Sequence, residues 1–207
     1  EALKRQNTNR KALLSLALVC AETGRYPQAE KYLRQALQYY SGDSEVHYLS
    51  SVIYLMKGDY STAEKQARIA VELNGDFDKA YELLSTILYF QHRYSEVIDL
   101  CDFLISRDRK NSSAWYLKGV ATDKLGDEEE AISIWSTGLG INPQDELMRT
   151  QMEFSIRNIL SLEDNRRGAW AKYHVANAAQ YESRYDKSGS SYEYQRALIL
   201  DPMNIQA

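Results

Sequence analysis

The octapeptide LGDEEEAI, residues 125–132, sets four acidic side chains, Asp127, Glu128, Glu129 and Glu130, between apolar ends. A run of this kind can be a metal site, a catalytic cluster or helix punctuation, and its recurrence along the chain decides among them. Weaker relatives stand earlier: TGRYPQA from Thr23, KGDYSTA from Lys57 and QHRYSEV from Gln91. Gly24, Gly58, His92 and Gly126 are each 34 residues apart. Self-similarity at a fixed period of this size marks a stack of small supersecondary units.

Each interval holds two amphipathic helical patterns joined by a short turn, because apolar residues return at three and four positions. The units run 10–43, 44–77, 78–111 and 112–145. In this frame Gly126 ends the first helix of its unit, and Asp127 to Glu130 open the second. Carboxylates there face the positive end of a helix dipole and accept from unpaired amides. Pro27, in the same turn of the first unit, suits a first helical turn. Consecutive helical residues point in different directions, so the run does not converge on a metal.

With that period, and with Trp115, Gly119, Gly126, Ala131, Trp135 and Pro143 in AWYLKGVATDKLGDEEEAISIWSTGLGINP, the chain resembles the tetratricopeptide repeat family. The resemblance implies an all-α fold, a right-handed superhelical solenoid of antiparallel helix pairs. Close helix crossings require small residues. The candidates are Ala17, Ala29 and Ala36, then Ser51, Ala63 and Ala70, and later Gly119, Ala131 and Gly138. The third unit has Ser85, Val97 and Leu104 instead, which predicts a wider crossing there.

Outside the four units the pattern is less regular. Residues 1–9 fit the closing register of a preceding truncated repeat or a capping helix, with Ala2 matching Ala36 and Ala70. Residues 146–168 read as an extra amphipathic helix and linker, in which SLED, 161–164, is a candidate capping box for the next helix. Residues 169–204 read as a modified fifth repeat, with Ser188, Gly189, Ser190 and Ser191 weakening the start of its second helix. Both ends are expected to be cut from a longer array, since solenoids close with polar capping helices.

The remaining composition narrows the function class. A net charge of −4 offers no basic footprint for nucleic acid. No apolar run approaches the length of a bilayer span, so direct membrane insertion is not expected and the chain reads as soluble, cytoplasmic or envelope-associated. Cys20 and Cys101 fall two units apart at helix-packing positions, and His47, His92 and His174 share no metal-ligand spacing. No phosphate loop or nucleophile elbow occurs, and GLG, 138–140, follows no predicted strand. The expectation is a protein without cofactor, metal or enzymatic activity.

In the resembled family, partner-facing residues recur at fixed positions of the first helix of each repeat, on a concave groove. The resemblance implies Tyr48, Val52, Leu55 and Met56 in the second unit, Lys79, Glu82, Tyr89 and Phe90 in the third, and Tyr116, Val120, Asp123 and Lys124 in the fourth. The last unit supplies Tyr173 and Tyr181. One branch of the family clamps the C-terminal carboxylate of heat-shock chaperones with Lys, Asn and Arg. Here those positions read Leu14, Leu18 and Leu49, or Tyr48, Val52 and Leu83, or Glu82, Thr86 and Leu117, so the clamp is absent. The groove is apolar and aromatic, which suits a helical or extended partner segment with apolar anchors. The reading is therefore a protein-interaction scaffold. The alternative is a structural subunit of a larger assembly, bacterial envelope complexes included, acting through self-association or its outer face.

Overall fold

The computed structural model describes residues 9–203, so the reading of Ala2 and its neighbours lies outside the described residues, as does residue 204. Among the described residues there are eleven helices and no strand. They are α1 (Arg10–Glu22), α2 (Tyr26–Tyr39), α3 (Ser44–Lys57), α4 (Tyr60–Leu73), α5 (Asp78–Phe90), α6 (Tyr94–Arg107), α7 (Ser112–Lys124), α8 (Glu128–Ile141), α9 (Glu146–Ile159), α10 (Asn165–Ser183) and α11 (Lys187–Leu200). The fold is an all-α helical repeat. The chain divides into two compact units between Leu125 and Gly126, one holding α1 to α7 and the other α8 to α11.

Local chemistry sets the helix starts. Asn9, Asp43 and Asn111 each accept a backbone N–H of the helix that follows, at 3.0, 2.9 and 3.0 Å respectively. Asp145 does the same for α9 at 2.9 Å. These caps lie in one 34-residue register, in which position 77 carries Phe77 instead of a capping side chain. The Phe77 ring packs on Tyr48 at 5.0 Å. The register therefore persists into the start of α9. It breaks only at the turn after that helix, later than the sequence suggested.

The turns that close the first helices need a left-handed residue. Gly24, Gly58 and Gly126 have φ of 73°, 81° and 90°, and His92 takes φ 62° at the equivalent place. Asp127 then caps α8 by accepting from Glu130 N at 3.2 Å, so the acidic run is helix punctuation. Pro27 lies in the first turn of α2.

In the first unit, α1, α3, α5 and α7 touch in succession, and each of α2, α4 and α6 packs on the first helices to either side of it. The core is made of small and aliphatic side chains. Leu13, Ala17, Ala29, Leu33 and Ala36 are buried, as are Val46, Ile53, Ala63, Ala67 and Ala70. The Ser51 hydroxyl, also buried, donates to Ala63 O at 2.8 Å across the α3 to α4 crossing. A hydroxyl there costs nothing because the backbone supplies its partner. Ser85, Val97, Cys101 and Leu104 fill the third crossing and are fully buried. Cys20 and Cys101 are free thiols, and burial pushes that of Cys101 up to about 12.

In the second unit α8 packs on α9, α9 on α11, and α10 on α11 as a hairpin. One sequence expectation needs correction here. The residue that caps α10 is Asp164, which accepts from Arg166 N at 2.9 Å, so Ser161 does not open a capping box. The run Ser188 to Ser191 occupies the first turns of α11, which Asp186 caps at Gly189 N. A Cβ at Gly189 would stand 2.5 Å from the Tyr181 ring. Glycine is there to let α10 approach α11, a packing demand that outweighs its low helix propensity.

Candidate functional site

Twelve of the residues assigned to a partner-facing groove lie on α3, α5 and α7 of the first unit, and Tyr173 and Tyr181 lie on α10 of the second. On α3 and α5 the last turns present equivalent side chains. Met56 is 41% exposed and Phe90 46% exposed, with Leu55 and Tyr89 half-buried beside them. These positions are one 34-residue step apart, so the same helical face repeats. Phe90 stacks flat on Tyr60 with centroids 5.5 Å apart, and Tyr89 meets both Phe90 and Tyr94 at 5.8 and 5.7 Å. The Tyr26 hydroxyl donates to Met56 O at 2.9 Å and fixes the end of α3.

The other assigned positions are more engaged. Tyr48 is half-buried against Phe77, and burial, with Glu82 nearby, raises its hydroxyl above the ordinary range. Glu82 accepts from Asn111 Nδ2 at 2.7 Å. Lys79 and Lys124 are exposed, whereas Val52, Tyr116 and Asp123 are partly covered. Val120 is only 9% exposed and contributes to packing more than to any open surface. In the second unit the Tyr173 ring carries the Arg149 guanidinium at 3.3 Å from its centroid, and Tyr181 lies against Gly189.

Sequence reading by repeat position missed a polar core in the second unit. His174 is wholly buried, with Nε2 2.6 Å from Glu153 and Nδ1 2.6 Å from Glu193. Arg196 closes the far side of Glu153 at 2.9 Å and reaches Glu146 at 3.0 Å. An ionised carboxylate only accepts, so each contact of the ring needs a proton on the ring or on the acid. Burial alone would raise the Glu153 carboxyl, but His174 and Arg196 outweigh it and hold the group below the ordinary range.

Arg167, also buried, donates to Leu200 O at 2.5 Å and Leu160 O at 3.0 Å. It thereby serves the carbonyl ends of α11 and α9 at once, where a cation is favoured by both helix dipoles. The available signal was periodicity. Arg167, Ala171, His174 and Ala178 form the buried stripe of α10, so two charged or titratable residues stood in core register.

No group of three or more His, Cys, Asp or Glu among the described residues could hold a metal ion. No helix of the described residues is long and apolar enough to cross a membrane.

Comparison with known proteins agrees with this geometry. Family profiles described as "Tetratricopeptide repeat" match residues 21–84 and 112–145. A curated relative, the formate-dependent nitrite reductase complex subunit NrfG of Escherichia coli O157:H7, is 27% identical over 117 residues. That match covers 55% of this chain and 59% of the relative, so the chain spans less than two thirds of its length. Among solved structures, MamA gives a TM-score of 0.64 at 14% identity, covering 94% of this chain and 93% of that one. Pseudomonas aeruginosa pilF gives 0.64 at 16% identity, covering 95% and 94%. YrrB, described as a TPR protein with an unusual peptide-binding site, gives 0.61 at 13% identity, covering 99% and 93%. Likeness at these identities shows the fold.

Proposed function

We propose that this chain, which is a tetratricopeptide-repeat protein, works as a non-enzymatic scaffold that holds an apolar helical or extended segment of a partner against α3 and α5. Proteins of this family are generally non-catalytic and bind protein or peptide partners. The observation that carries the finer reading is the repeated exposure of Met56 and Phe90 beside Leu55 and Tyr89. Large side chains left partly open at equivalent places on neighbouring helices supply adaptable apolar contacts of the kind that anchor a bound segment. Lys79 on α5 and Lys124 on α7 add exposed charge.

A second reading, a structural subunit of a larger assembly working through its outer face or through a further copy of itself, has support in the similarity to NrfG, described as a subunit of an enzyme complex. Photo-crosslinking in the native host separates the two. The reactive residue replaces Tyr89 in one variant and Lys65, exposed on α4, in the other. A discrete partner captured from Tyr89 and not from Lys65 is the expected result. Capture from Lys65 alone, or of the chain itself, overturns the first reading in favour of the second.

A further inference from the structure

A cavity of about 600 Å³ opens over the polar core of the second unit, between the start of α9 and the facing sides of α10 and α11. Its charged lining is balanced, with Glu146 and Glu193 set against Arg184 and Arg196. The Arg196 guanidinium is already held by Glu153 and Glu146, and one Glu193 oxygen is held by His174. The uncharged lining is different. Beside Gln144 and Tyr173, the cavity is lined by Thr150, Asn177, Gln180, Tyr181 and Tyr192, which carry two amides and three hydroxyls. Among the described residues none of these last five side chains hydrogen-bonds to the protein.

None of the eleven lining residues is aliphatic. An extended peptide could find partners for its backbone here, but apart from the rings of Tyr173, Tyr181 and Tyr192 its side chains would find no apolar anchor. A simple ion is not selected either, because the two signs cancel around the wall. The fit is to a neutral ligand that carries donors and acceptors on the same groups, together with an apolar C–H face for a tyrosine ring. Hydroxyls both donate and accept, as do amides, and pairs of them match neighbouring hydroxyls of a ring. Tyr192 is 58% exposed and offers a rigid amphipathic surface at the mouth.

We propose that this cavity is a carbohydrate-binding site, taking one or two sugar rings against Tyr192 with Asn177 and Gln180 as hydrogen-bonding partners. The volume is in the range of small-molecule sites, which run from roughly 300 to 1,000 Å³. Its lining includes Tyr173 and Tyr181, which the family resemblance placed in the partner-facing groove, but the proposal rests on the second unit alone and does not depend on the reading of α3 and α5.

The test is ligand-observed saturation-transfer NMR on the full chain with glucose, galactose, N-acetylglucosamine and maltose, each at ~10 mM, a concentration that reveals even millimolar affinity. Asn177→Ala and Tyr192→Ala are compared with the exposed substitution Glu129→Ala, circular dichroism confirming that each remains folded. The expected result is transfer to at least one sugar that falls tenfold or more in both cavity variants and survives in the control. Absence of transfer to all four sugars overturns the proposal. So does transfer that survives both cavity substitutions, or a neutral tetrapeptide of Gly and Ser that binds where no sugar does.

Discussion

The two units of this chain bury different kinds of side chain, and the difference explains what each can tolerate. The first unit closes its helix crossings with Ala17, Ala29, Ala63, Ala67 and Ala80 and with aliphatic neighbours, its buried polar side chains making neutral contacts such as the Ser51 hydroxyl on Ala63 O and the His47 ring on Gln66. The second buries Arg149, Arg167, His174 and Glu193 beside Met148, Met152 and Trp135. Apolar crossings tolerate swaps that conserve volume, since no partner is left unpaired. A buried charged network depends on every partner being present, because each unpaired member bears its full desolvation cost.

The largest effect that would break this contrast is therefore expected at Glu153. It lies on α9 and is the common partner of His174 on α10 and Arg196 on α11. Glu153→Leu takes from each one of its two carboxylate partners, leaving His174 with Glu193 and Arg196 with Glu146, and is expected to destabilise by about 3 kcal/mol, the lower end of the range for removing one partner of a buried pair. Adding His174→Leu, Arg196→Leu and Glu193→Leu should restore much of that loss, since a packed apolar replacement of a whole buried network is often neutral. Chemical denaturation of the three chains measures both steps. If the single substitution costs no more than an ordinary surface change, under about 0.5 kcal/mol, the second unit is not held by its polar core.

The same carboxylate gives a smaller effect in acid. Glu153 keeps its charge to lower pH in the folded chain than at the ordinary glutamate value of 4.5. Protonation then favours the unfolded chain, so the stability it confers is complete above about pH 4.5 and is lost as pH falls through the depressed folded value. Asp43 and Glu64 in the first unit are lowered as well, by Arg10 and, for Glu64, against the opposing effect of burial, by Arg93 and Arg68. Acid denaturation is thus common to both units, and Glu153→Gln is expected to flatten only part of the curve. A variant whose melting temperature falls as steeply as the wild type between pH 5 and about 3 would remove Glu153 from the account.

This contrast also fixes how much of the molecule was legible in the sequence. In the first unit one period placed the turns and the small crossing residues together, while the capping side chains Asn9, Asp43 and Asn111 were not singled out. Small residues and caps are local signals, and a 34-residue repeat states them several times. The second unit states its devices once. Gly189 reads as a weak helix start until Tyr181 is seen against it, and Asp164 rather than Ser161 caps α10 although both lie in SLED. His174 reads as an isolated histidine because its partners lie 21 residues before it and 19 after it, on two other helices. Its place on the stripe of Arg167, Ala171 and Ala178 was visible, but not what would meet it. The partner-facing positions were assigned from the family resemblance; Met56 on α3 and Phe90 on α5 are exposed, whereas Val120 on α7 is nearly covered.

The smallest effect compares the turns, where each unit departs from glycine once. His92 has φ 62° in the first unit and Tyr185 φ 58° in the second. A non-glycine residue in this region costs about 1 kcal/mol, so glycine at either position relieves strain. Tyr185 is 94% exposed, and Tyr185→Gly is expected to stabilise by about 0.5 kcal/mol after the added freedom of the unfolded chain is subtracted. His92 accepts or donates to the Tyr94 hydroxyl at 2.7 Å through Nδ1, so His92→Gly gives up a contact and should gain less. The converse substitution, Gly58→Ala, isolates the backbone cost, because a Cβ there meets nothing within 4 Å while φ is 81°. It should lower stability by about 1 kcal/mol, or roughly 2 to 4 °C in a chain of this size. Should His92→Gly stabilise more than Tyr185→Gly, the Tyr94 contact contributes nothing, and the third turn is held by backbone geometry alone.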